Sequence, residues 1–187
     1  MIIGLDVSTS ITGITIINRG GDVIWNDAWD TRRFKNFFEK AEFVKEKIKG
    51  IPFITEVNKN IGDYKWLDAI YIEQSLQSFR SGFSSAKTLS TLSRFNGVVS
   101  WMCYELLKIQ PEYIAATSAR KKCGITIPRG EKAKACVIKY VVDNVPDVII
   151  EYTKFGNPKP HCFDKADSWV IAKAGWLLCQ KEKSSES

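Results

Sequence analysis

The first thirty residues contain short apolar runs and one alternating segment, which are the patterns of β-strands. An apolar run over residues 2–6 ends at a carboxylate, and an alternating run follows over residues 12–16. Runs of this length and period predict strands. The Ser- and Thr-rich residues 8–10 would turn the chain once, and the Gly-Gly pair at 20–21 would turn it again, into residues 23–25. The beginning of the chain is therefore predicted to be an antiparallel meander of three strands.

A helical period comes next, and a fourth strand follows it. Residues 36–49 repeat apolar side chains at helical spacing, and Gly50 and Pro52 would end that helix. Residues 51–68 mix Pro, Asn, Gly and Asp with scattered aromatics and are predicted to be a loop. Residues 69–73 form another apolar run that ends at a carboxylate, and they predict the fourth strand.

The second half of the chain begins with a long predicted helix. Ser84 or Ser85 would cap it, and it would extend to about residue 107 with an apolar stripe on one face. The stripe consists of Ala86, Leu89, Leu92, Val99, Met102 and Leu106. A fifth, short strand is predicted over residues 113–115. Thr117 or Ser118 would then cap a brief helix that ends near residue 124.

Two more helices are predicted before the end of the chain. The first spans residues 131–144, and four apolar positions are expected to point inward: Val137, Ile138, Val141 and Val142. Residues 151–160 contain Gly and Pro and are predicted to be a loop. The last helix is expected from about Phe163 to Leu178. Residues 181–187 are polar and predict a frayed or disordered tail.

Together these elements predict an α/β protein. Three antiparallel strands followed by two parallel strands would form a five-stranded mixed sheet with helices on both faces. The 187 residues suit one domain over residues 1–180, followed by the polar tail. We expect neither a secretory signal nor a membrane anchor, because residues 1–6 reach a carboxylate early and the apolar stretch 169–179 is short and contains Lys173.

Charge and cysteine content narrow the classes of function. Lys and Arg total 27 against 21 Asp and Glu, so the formal charge is 27 minus 21, or +6, which favours a polyanionic partner. The five cysteines include no C-x-x-C pair, and His161 is the single histidine, so a zinc site is not expected. Reduced thiols and the absence of a targeting segment suggest a bacterial cytosol or that of a phage-infected host.

Four carboxylates carry the candidate chemistry. Asp6 and Glu73 each end an apolar strand, and they would meet at one sheet edge if those strands are parallel neighbours. Asp164 and Asp167 lie three apart on the last helix, so their Cβ atoms would be roughly 5 to 6 Å apart on one face. Such a cluster of hard oxygen ligands calls for divalent cations, with Mg²⁺ or Mn²⁺ preferred.

Two ions roughly 4 Å apart could activate a water molecule and stabilise the leaving oxygen of a phosphodiester. In this scheme Asp6 would bridge the ions, and the other three acids would complete their ligand shells. Each acid alone also has a structural explanation, because Asp often follows a strand in a turn and acids often sit in the first turn of a helix. Only the joint pattern favours metal-dependent phosphodiester hydrolysis.

The acids belong to three short motifs, which are Gly4-Leu5-Asp6 with Ser8, Thr9 and Gly13, then Ile72-Glu73-Gln74, then Asp164-Lys165-Ala166-Asp167-Ser168. In their order and separation these motifs resemble those of the RuvC Holliday-junction resolvases, and poxvirus and bacteriophage resolvases look similar. The likeness extends from Ile2 to about Trp176. The resemblance implies an RNase H-like fold, a homodimer, and paired nicks in a four-way DNA junction. It also implies that the long second helix contributes to the dimer interface, with Trp101 and Met102 as candidates.

The resemblance directs attention to DNA-binding residues. The family places an aromatic soon after the catalytic Glu, but this chain has Ser75 and Leu76 there, and its aromatics come later. A stacking role falls to Phe79 or Phe83, with a phosphate contact from Arg80, although a Phe could equally pack beneath that loop. The family's basic segment matches Arg120-Lys121-Lys122 and the stretch with Arg129 and Lys132. A solvated basic surface is the alternative.

His161 is a secondary candidate. It lies three residues before Asp164, and some relatives use a histidine near this site, so it could bind a metal or position water. A hydrogen-bonded surface residue is the alternative interpretation.

Three other functions compete with a junction resolvase. An actin-like ATPase or sugar kinase would have a first phosphate loop that looks like Gly4-Leu5-Asp6-Val7-Ser8-Thr9-Ser10 with Gly13. That class requires a duplicated core, and it leaves Asp164 and Asp167 unexplained. A binding module that grips branched nucleic acid without cutting is the second. The third keeps the chemistry and changes the substrate to ribosomal RNA or to many kinds of branched DNA.

Overall fold

The computed structural model describes residues 1–51, 66–74 and 86–185. Five strands and five helices lie in these ranges. The strands β1 to β5 are Ile2–Asp6, Ile11–Ile17, Val23–Asp30, Ala69–Glu73 and Glu112–Ile114. The helices α1 to α5 are Phe37–Lys49, Ala86–Leu107, Ala116–Lys122, Ala133–Asn144 and Pro160–Ser185. No helix in the described ranges is long and apolar enough to cross a membrane.

The strands form one mixed sheet in the order β3-β2-β1-β4-β5. Strands β1, β2 and β3 pair antiparallel, while β4 pairs parallel with both β1 and β5. The predicted sheet, with three antiparallel strands followed by two parallel ones, is therefore confirmed. The central pairing aligns Leu5 of β1 with Ile72 of β4, so both strands end at the same sheet edge.

Both faces of the sheet are covered by helices, as predicted. Because successive side chains of a strand point to opposite faces, Ile3 and Leu5 join a core with α1 and α2, while Ile2 joins a second core with α3, α4 and α5. Every residue of β2 is buried for this reason, including its polar positions. Asp6 and Glu73 belong by the same alternation to the face that α5 covers.

Three glycines let α5 approach the sheet closely. A Cβ atom on Gly13 would lie 2.0 Å from the carbonyl oxygen of Asp164, and one on Gly4 would lie 2.2 Å from the backbone nitrogen of Ala172. On α5 itself, a Cβ on Gly175 would lie 2.1 Å from the ring of Tyr71. The backbone contact at Gly13 places the acidic turn of α5 directly above the edge where β1 ends.

The observed α5 is longer than predicted at both ends. It begins at Pro160 rather than near Phe163. Proline is tolerated there because backbone N–H groups in the first turn have no hydrogen-bond partner within the helix, so the missing N–H costs nothing. It continues to Ser185 rather than ending near Leu178, so the frayed tail predicted from residue 181 is helical to that point. Lys, Glu and Gln in this segment are good helix formers, which explains the continuation.

Smaller corrections concern the elements before α5. The prediction that Thr117 or Ser118 caps α3 was wrong, because both lie inside the helix and the cap position is Ala115. Strand β5 begins one residue earlier than predicted, and α4 two residues later. Val142 is exposed rather than inward, since it lies beside the stripe that buries Val141. The predicted caps Ser84 and Ser85 and most of the predicted loop 51–68 lie outside the described residues.

Candidate active site

Three of the four predicted acids line one cleft at the end of β1 and β4. The cleft has a volume of ≈ 220 Å³, and residues of α2, α4 and α5 line it together with the strand ends. Its lining residues are Asp6, Val7, Ser8, Glu73, Gln74, Leu92, Asn96, Lys134 and Asp167. Asp164 lies one helical turn before Asp167 and is close enough for its charge to act on Asp6. The parallel pairing of the two strands and the spacing on α5 thus bring the acids together.

Hydrogen bonds hold the backbone at the strand ends where Asp6 and Glu73 enter this cleft. After β1, the hydroxyl of Ser8 accepts from the backbone amide of Ile11 at 3.0 Å and donates to the Ile11 carbonyl at 2.6 Å, which closes the turn into β2. After β4, the side-chain amide of Asn96 donates to the Glu73 carbonyl at 3.0 Å. Hydrogen bonds therefore hold the turn that follows Asp6 and the backbone carbonyl of Glu73.

A buried polar network fastens the acidic turn of α5 to the sheet. The hydroxyls of Thr15 and Ser168 are 2.8 Å apart, and Ser168 also donates to the Lys165 carbonyl at 2.9 Å. From β3, the amide of Asn26 donates to the Thr15 hydroxyl at 2.7 Å and to the Lys165 carbonyl at 3.1 Å. Because Lys165 and Ser168 directly follow Asp164 and Asp167, these bonds fix the orientation of the helical turn that carries the two acids.

The four acids are held in an environment that resists ionisation. Burial raises the pKa of Asp6 well above its ordinary value, and the charges of the three other acids raise it further. Burial and the charge of Asp167 raise the pKa of Glu73 to about 7. Burial also raises the pKa of Asp164 and that of Asp167. Ionising all four acids would therefore gather negative charge at a place that is removed from water.

Lys134 and Arg120 partly compensate this charge. The Lys134 Nζ lies 3.5 Å from Asp164 Oδ1 and 3.4 Å from Asp167 Oδ2, and its charge lowers the pKa of all four acids. Arg120 lowers the pKa of Glu73 and of Asp167. The positive charges of Lys134 and Arg120 thus offset only part of the negative charge that four ionised carboxylates would carry.

The sequence analysis did not single out Lys134, although a signal was present. Lys134 precedes Val137 by three residues, Ile138 by four and Val141 by seven, so it continues the buried stripe of α4. A lysine at the beginning of a buried stripe must either extend to solvent or meet an acid. Arg120 was noted only as part of a basic segment, and nothing local indicated that it faces the acids.

The donor set fits a divalent cation in charge and in chemistry. Carboxylate oxygens are the ligands that Mg²⁺ and Mn²⁺ prefer, and the remaining negative charge favours a cation. Within the described ranges, no three His, Cys, Asp or Glu side chains are close enough to hold an ion as they stand. Since the Lys134 ammonium lies between Asp164 and Asp167, their oxygens would have to turn from this lysine toward an ion.

His161 is placed apart from the acids. Its Nε2 lies 3.0 Å from a carboxylate oxygen of Glu151, and it is absent from the cleft lining. Helix α5 does begin early enough to include it, at Pro160. Its role as a metal ligand stays a prediction, for which the observed hydrogen bond with Glu151 gives no support.

The predicted DNA-binding residues that the structure describes lie near the end of α3 and before the start of α4. Lys121 and Lys122 lie exposed at the end of α3, and Arg129 and Lys132 lie exposed before α4. A groove of ≈ 510 Å³ between α3 and α4 includes Arg120 and Lys121 in its lining. Phe79, Arg80 and Phe83 lie outside the described residues, so their stacking and phosphate contacts stay predictions.

One paired measurement tests the electrostatic description. Because the folded pKa of Glu73 exceeds its ordinary value, the folded metal-free protein binds more protons than the unfolded chain between about pH 4.5 and 7. Stability therefore falls as pH rises through this interval. Glu73→Gln removes the destabilisation that comes from ionising this buried carboxyl. In EDTA we therefore expect its melting temperature to exceed that of wild type by about 5 °C at pH 8 and to match it at pH 4.

Lys134→Met gives the opposite expectation in the same experiment. At pH 8 it leaves the carboxylates without their nearest cation and lowers the melting temperature, whereas at pH 4 the loss shrinks as the acids take up protons. Lys132→Met, at the exposed position before α4, is the matched control and should change little at either pH. Equal effects of the two lysine variants at pH 8 would contradict the geometry described above.

The fold and this cleft define the class: an α/β protein with the RNase H-like sheet and an acidic site at the end of its central strands. Among solved structures, Thermus thermophilus RuvC is similar at 14% identity and a TM-score of 0.57, over 97% of this chain and 96% of that one. T. thermophilus RuvC in complex with Holliday junction substrate is similar at 11% identity and a TM-score of 0.60, over 96% and 94%.

A third similar structure is the yeast mitochondrial Holliday junction resolvase Ydc2, at 13% identity and a TM-score of 0.55, over 98% of this chain and 81% of the other. No protein-family model and no curated protein sequence matches the chain. At these identities the comparisons show the fold, and the predicted RuvC-type, RNase H-like fold is confirmed.

Proposed function

We propose that this chain is a metal-dependent endonuclease that resolves four-way DNA junctions. The observation that carries the proposal is the gathering of Asp6, Glu73 and Asp167 in one cleft, with Asp164 one turn away, on a RuvC-type fold. The net positive charge of the chain and the basic groove beside the cleft support a polyanionic substrate. One similar structure is of RuvC with Holliday junction substrate, which supports branched DNA as the substrate here.

The residues divide into two roles. Asp6, Glu73, Asp164 and Asp167 would hold two Mg²⁺ ions, for which Mn²⁺ would substitute. Bound there, the ions would supply an activated water and stabilise the leaving oxygen. The chain's own cations would bind the phosphates on either side of the cut, with Arg120 and Lys134 nearest the acids. Lys121 in the groove, and the exposed cations Lys122, Arg129 and Lys132, would bind other parts of the DNA backbone.

The apolar surface between α1 and α2 supports a homodimer. It forms a groove of ≈ 840 Å³ on the sheet face opposite the one that α5 covers. Phe38 is 74% exposed and Trp101 63% exposed, which is a large apolar area to leave in water. A second copy of this chain is the proposed occupant, since two sites related by a two-fold axis match the two-fold symmetry of a four-way junction. Met102, the other predicted interface residue, lines the groove but is buried at 8% exposure.

Trp101→Glu tests the dimer. A carboxylate in an apolar interface would be buried without a partner, so we expect wild type to be dimeric and the variant to be monomeric at micromolar concentration. Light scattering after size-exclusion chromatography measures the oligomeric state. Val142→Glu, on the exposed face of α4, is the control. A monomeric wild type, or a variant that stays dimeric, would contradict the proposed interface.

Substrate panels test the activity itself. Four-way junctions, forks, flaps, linear duplex and RNA–DNA hybrid would be incubated with the protein and Mg²⁺ or Mn²⁺. Paired symmetric nicks in the four-way junction alone are expected. Cutting of every branched substrate would instead indicate a debranching nuclease of the same fold, and junction binding without any cutting would indicate a binding module. ATP hydrolysis without nuclease activity would overturn the proposal in favour of the kinase-like alternative.

A further inference from the structure

Residues 151–159 form a short hairpin immediately before α5. Tyr152 and Pro158 make an isolated antiparallel bridge, and the Thr153 amide donates to the Asn157 carbonyl at 2.8 Å. At the tip, Gly156 adopts φ of 78°, and its amide donates to the Thr153 carbonyl at 3.0 Å. The hairpin is therefore a defined turn with its own hydrogen bonds.

The base of the hairpin is tied to the helix that carries two of the acids. The Glu151 carboxylate accepts from Lys159 Nζ at 2.6 Å and pairs with His161 Nε2 at 3.0 Å. Lys165 Nζ donates to the Ile149 carbonyl at 3.0 Å. Because His161 and Lys165 flank Asp164 on α5, these contacts fix the hairpin relative to the acidic cleft. They also give His161 a use that does not involve a metal.

The tip of the hairpin presents an aromatic ring to solvent. Phe155 is 78% exposed, the highest value among the exposed large hydrophobic side chains of the described residues. Lys154 Nζ lies 5.0 Å from the centroid of this ring. One exposed ring beside a cation is by itself too small an apolar area for a stable protein interface, which typically buries about 800 Å² on each partner. It does combine the two groups that bind an unpaired nucleotide, an aromatic face for the base and a cation for its phosphate.

We propose that Phe155 is a stacking platform for an unpaired base of the DNA substrate, with Lys154 at the adjoining phosphate. The inference rests on the proposed function for the nature of the substrate. It is independent of the metal chemistry, because stacking requires only that branched DNA binds. The hairpin would hold an unpaired base at a set distance from the cleft and so select sites next to a branch or bulge.

Fluorescence of 2-aminopurine tests the proposal with the full-length protein in EDTA, where no cutting occurs. The probe would be placed as an unpaired base in a four-way junction and in a bulged duplex, and a fully paired duplex would serve as reference. Wild type is expected to quench the probe. Phe155→Ala should lose the quenching and bind the unpaired substrates about 5- to 100-fold more weakly, with binding to the paired duplex unchanged.

Two further variants make the test specific. Phe155→Trp keeps an aromatic face and should restore quenching, whereas Ile149→Ala removes a 70% exposed apolar side chain near the hairpin base and should behave as wild type. The proposal would be overturned if Phe155→Ala quenched the probe as wild type does, or if it weakened binding to the paired duplex equally. A change in the oligomeric state of Phe155→Ala would also overturn it. If wild type binds and stacks but never cuts with Mg²⁺, the stacking inference stands and the proposed nuclease activity fails.

Discussion

Asp6→Asn is expected to reduce cleavage of a four-way junction at least about 1000-fold, equivalent to about 4 kcal/mol in the activation barrier. Asp6 ends the central strand, and the charges of Glu73, Asp164 and Asp167 all act on it. Asparagine keeps the shape of the side chain while removing the charge that would bind a cation. Single-turnover cleavage with Mg²⁺, with junction binding measured in EDTA, separates lost chemistry from lost binding.

The same substitution should not destabilise the fold. Since burial and three neighbouring charges oppose ionisation of Asp6, removing its charge relieves repulsion in the metal-free protein. Asp143→Asn, on the exposed face of α4, is the matched control and should cut normally. Cleavage by Asp6→Asn at the wild-type rate would refute the proposed mechanism. A large loss of junction binding would show instead that Asp6 acts mainly in holding DNA.

Gly13→Ala is expected to damage both stability and activity through the position of α5. The added Cβ would lie 2.0 Å from the Asp164 carbonyl oxygen, so the backbone of β2 or that of α5 must move. Overpacking of this kind typically costs about 1–3 kcal/mol. Because the displaced turn carries Asp164 and Asp167, we expect cleavage to fall on the order of 100-fold, as a misplacement of about 1 Å can do. Urea unfolding and single-turnover cleavage measure the two effects.

Gly97→Ala provides the comparison. A Cβ on Gly97 meets no atom of its own chain within 4 Å, and the residue lies inside α2, where alanine favours the helix. Because Gly97 lines the groove between α1 and α2, the two variants are compared in the same oligomeric state. This variant should unfold at the same or higher urea concentration and fold into the same sheet. Equal loss of stability in the two variants would show that the close approach of α5 at Gly13 does not govern the fold.

Much of the sheet was predictable because its signals are local. The apolar run over residues 2–6, the alternation over residues 12–16 and the helical period in residues 36–49 predict the order of elements that the structure has. The two strand-terminal acids were predictable for the same reason, since a crossover connection makes β1 and β4 parallel and brings their ends to one edge. Gly13 was visible as part of a motif, but its close contact with Asp164 was not.

Local signals failed where a terminus or a face depended on more distant residues. Pro160 was taken as part of a loop, although it occupies the first turn of α5, where proline is tolerated. Val142 was expected to point inward because it is apolar, but α4 buries only one stripe against α5. The hairpin at residues 151–159 was predicted as a loop, and its tie to α5 through Glu151 could not be read from spacing.

The sequence by itself determined the fold class, the order of the elements along the chain, and that two acids end strands while two share a helix face, because periodicity and spacing are encoded within short segments. Tertiary structure alone decided which cations oppose those acids. Lys134 and Arg120 come from different helices, and their positions depend on how α3 and α4 pack beside α5. The charge balance of the cleft is therefore a property of packing, since electrostatic energy depends on distances that no local pattern specifies.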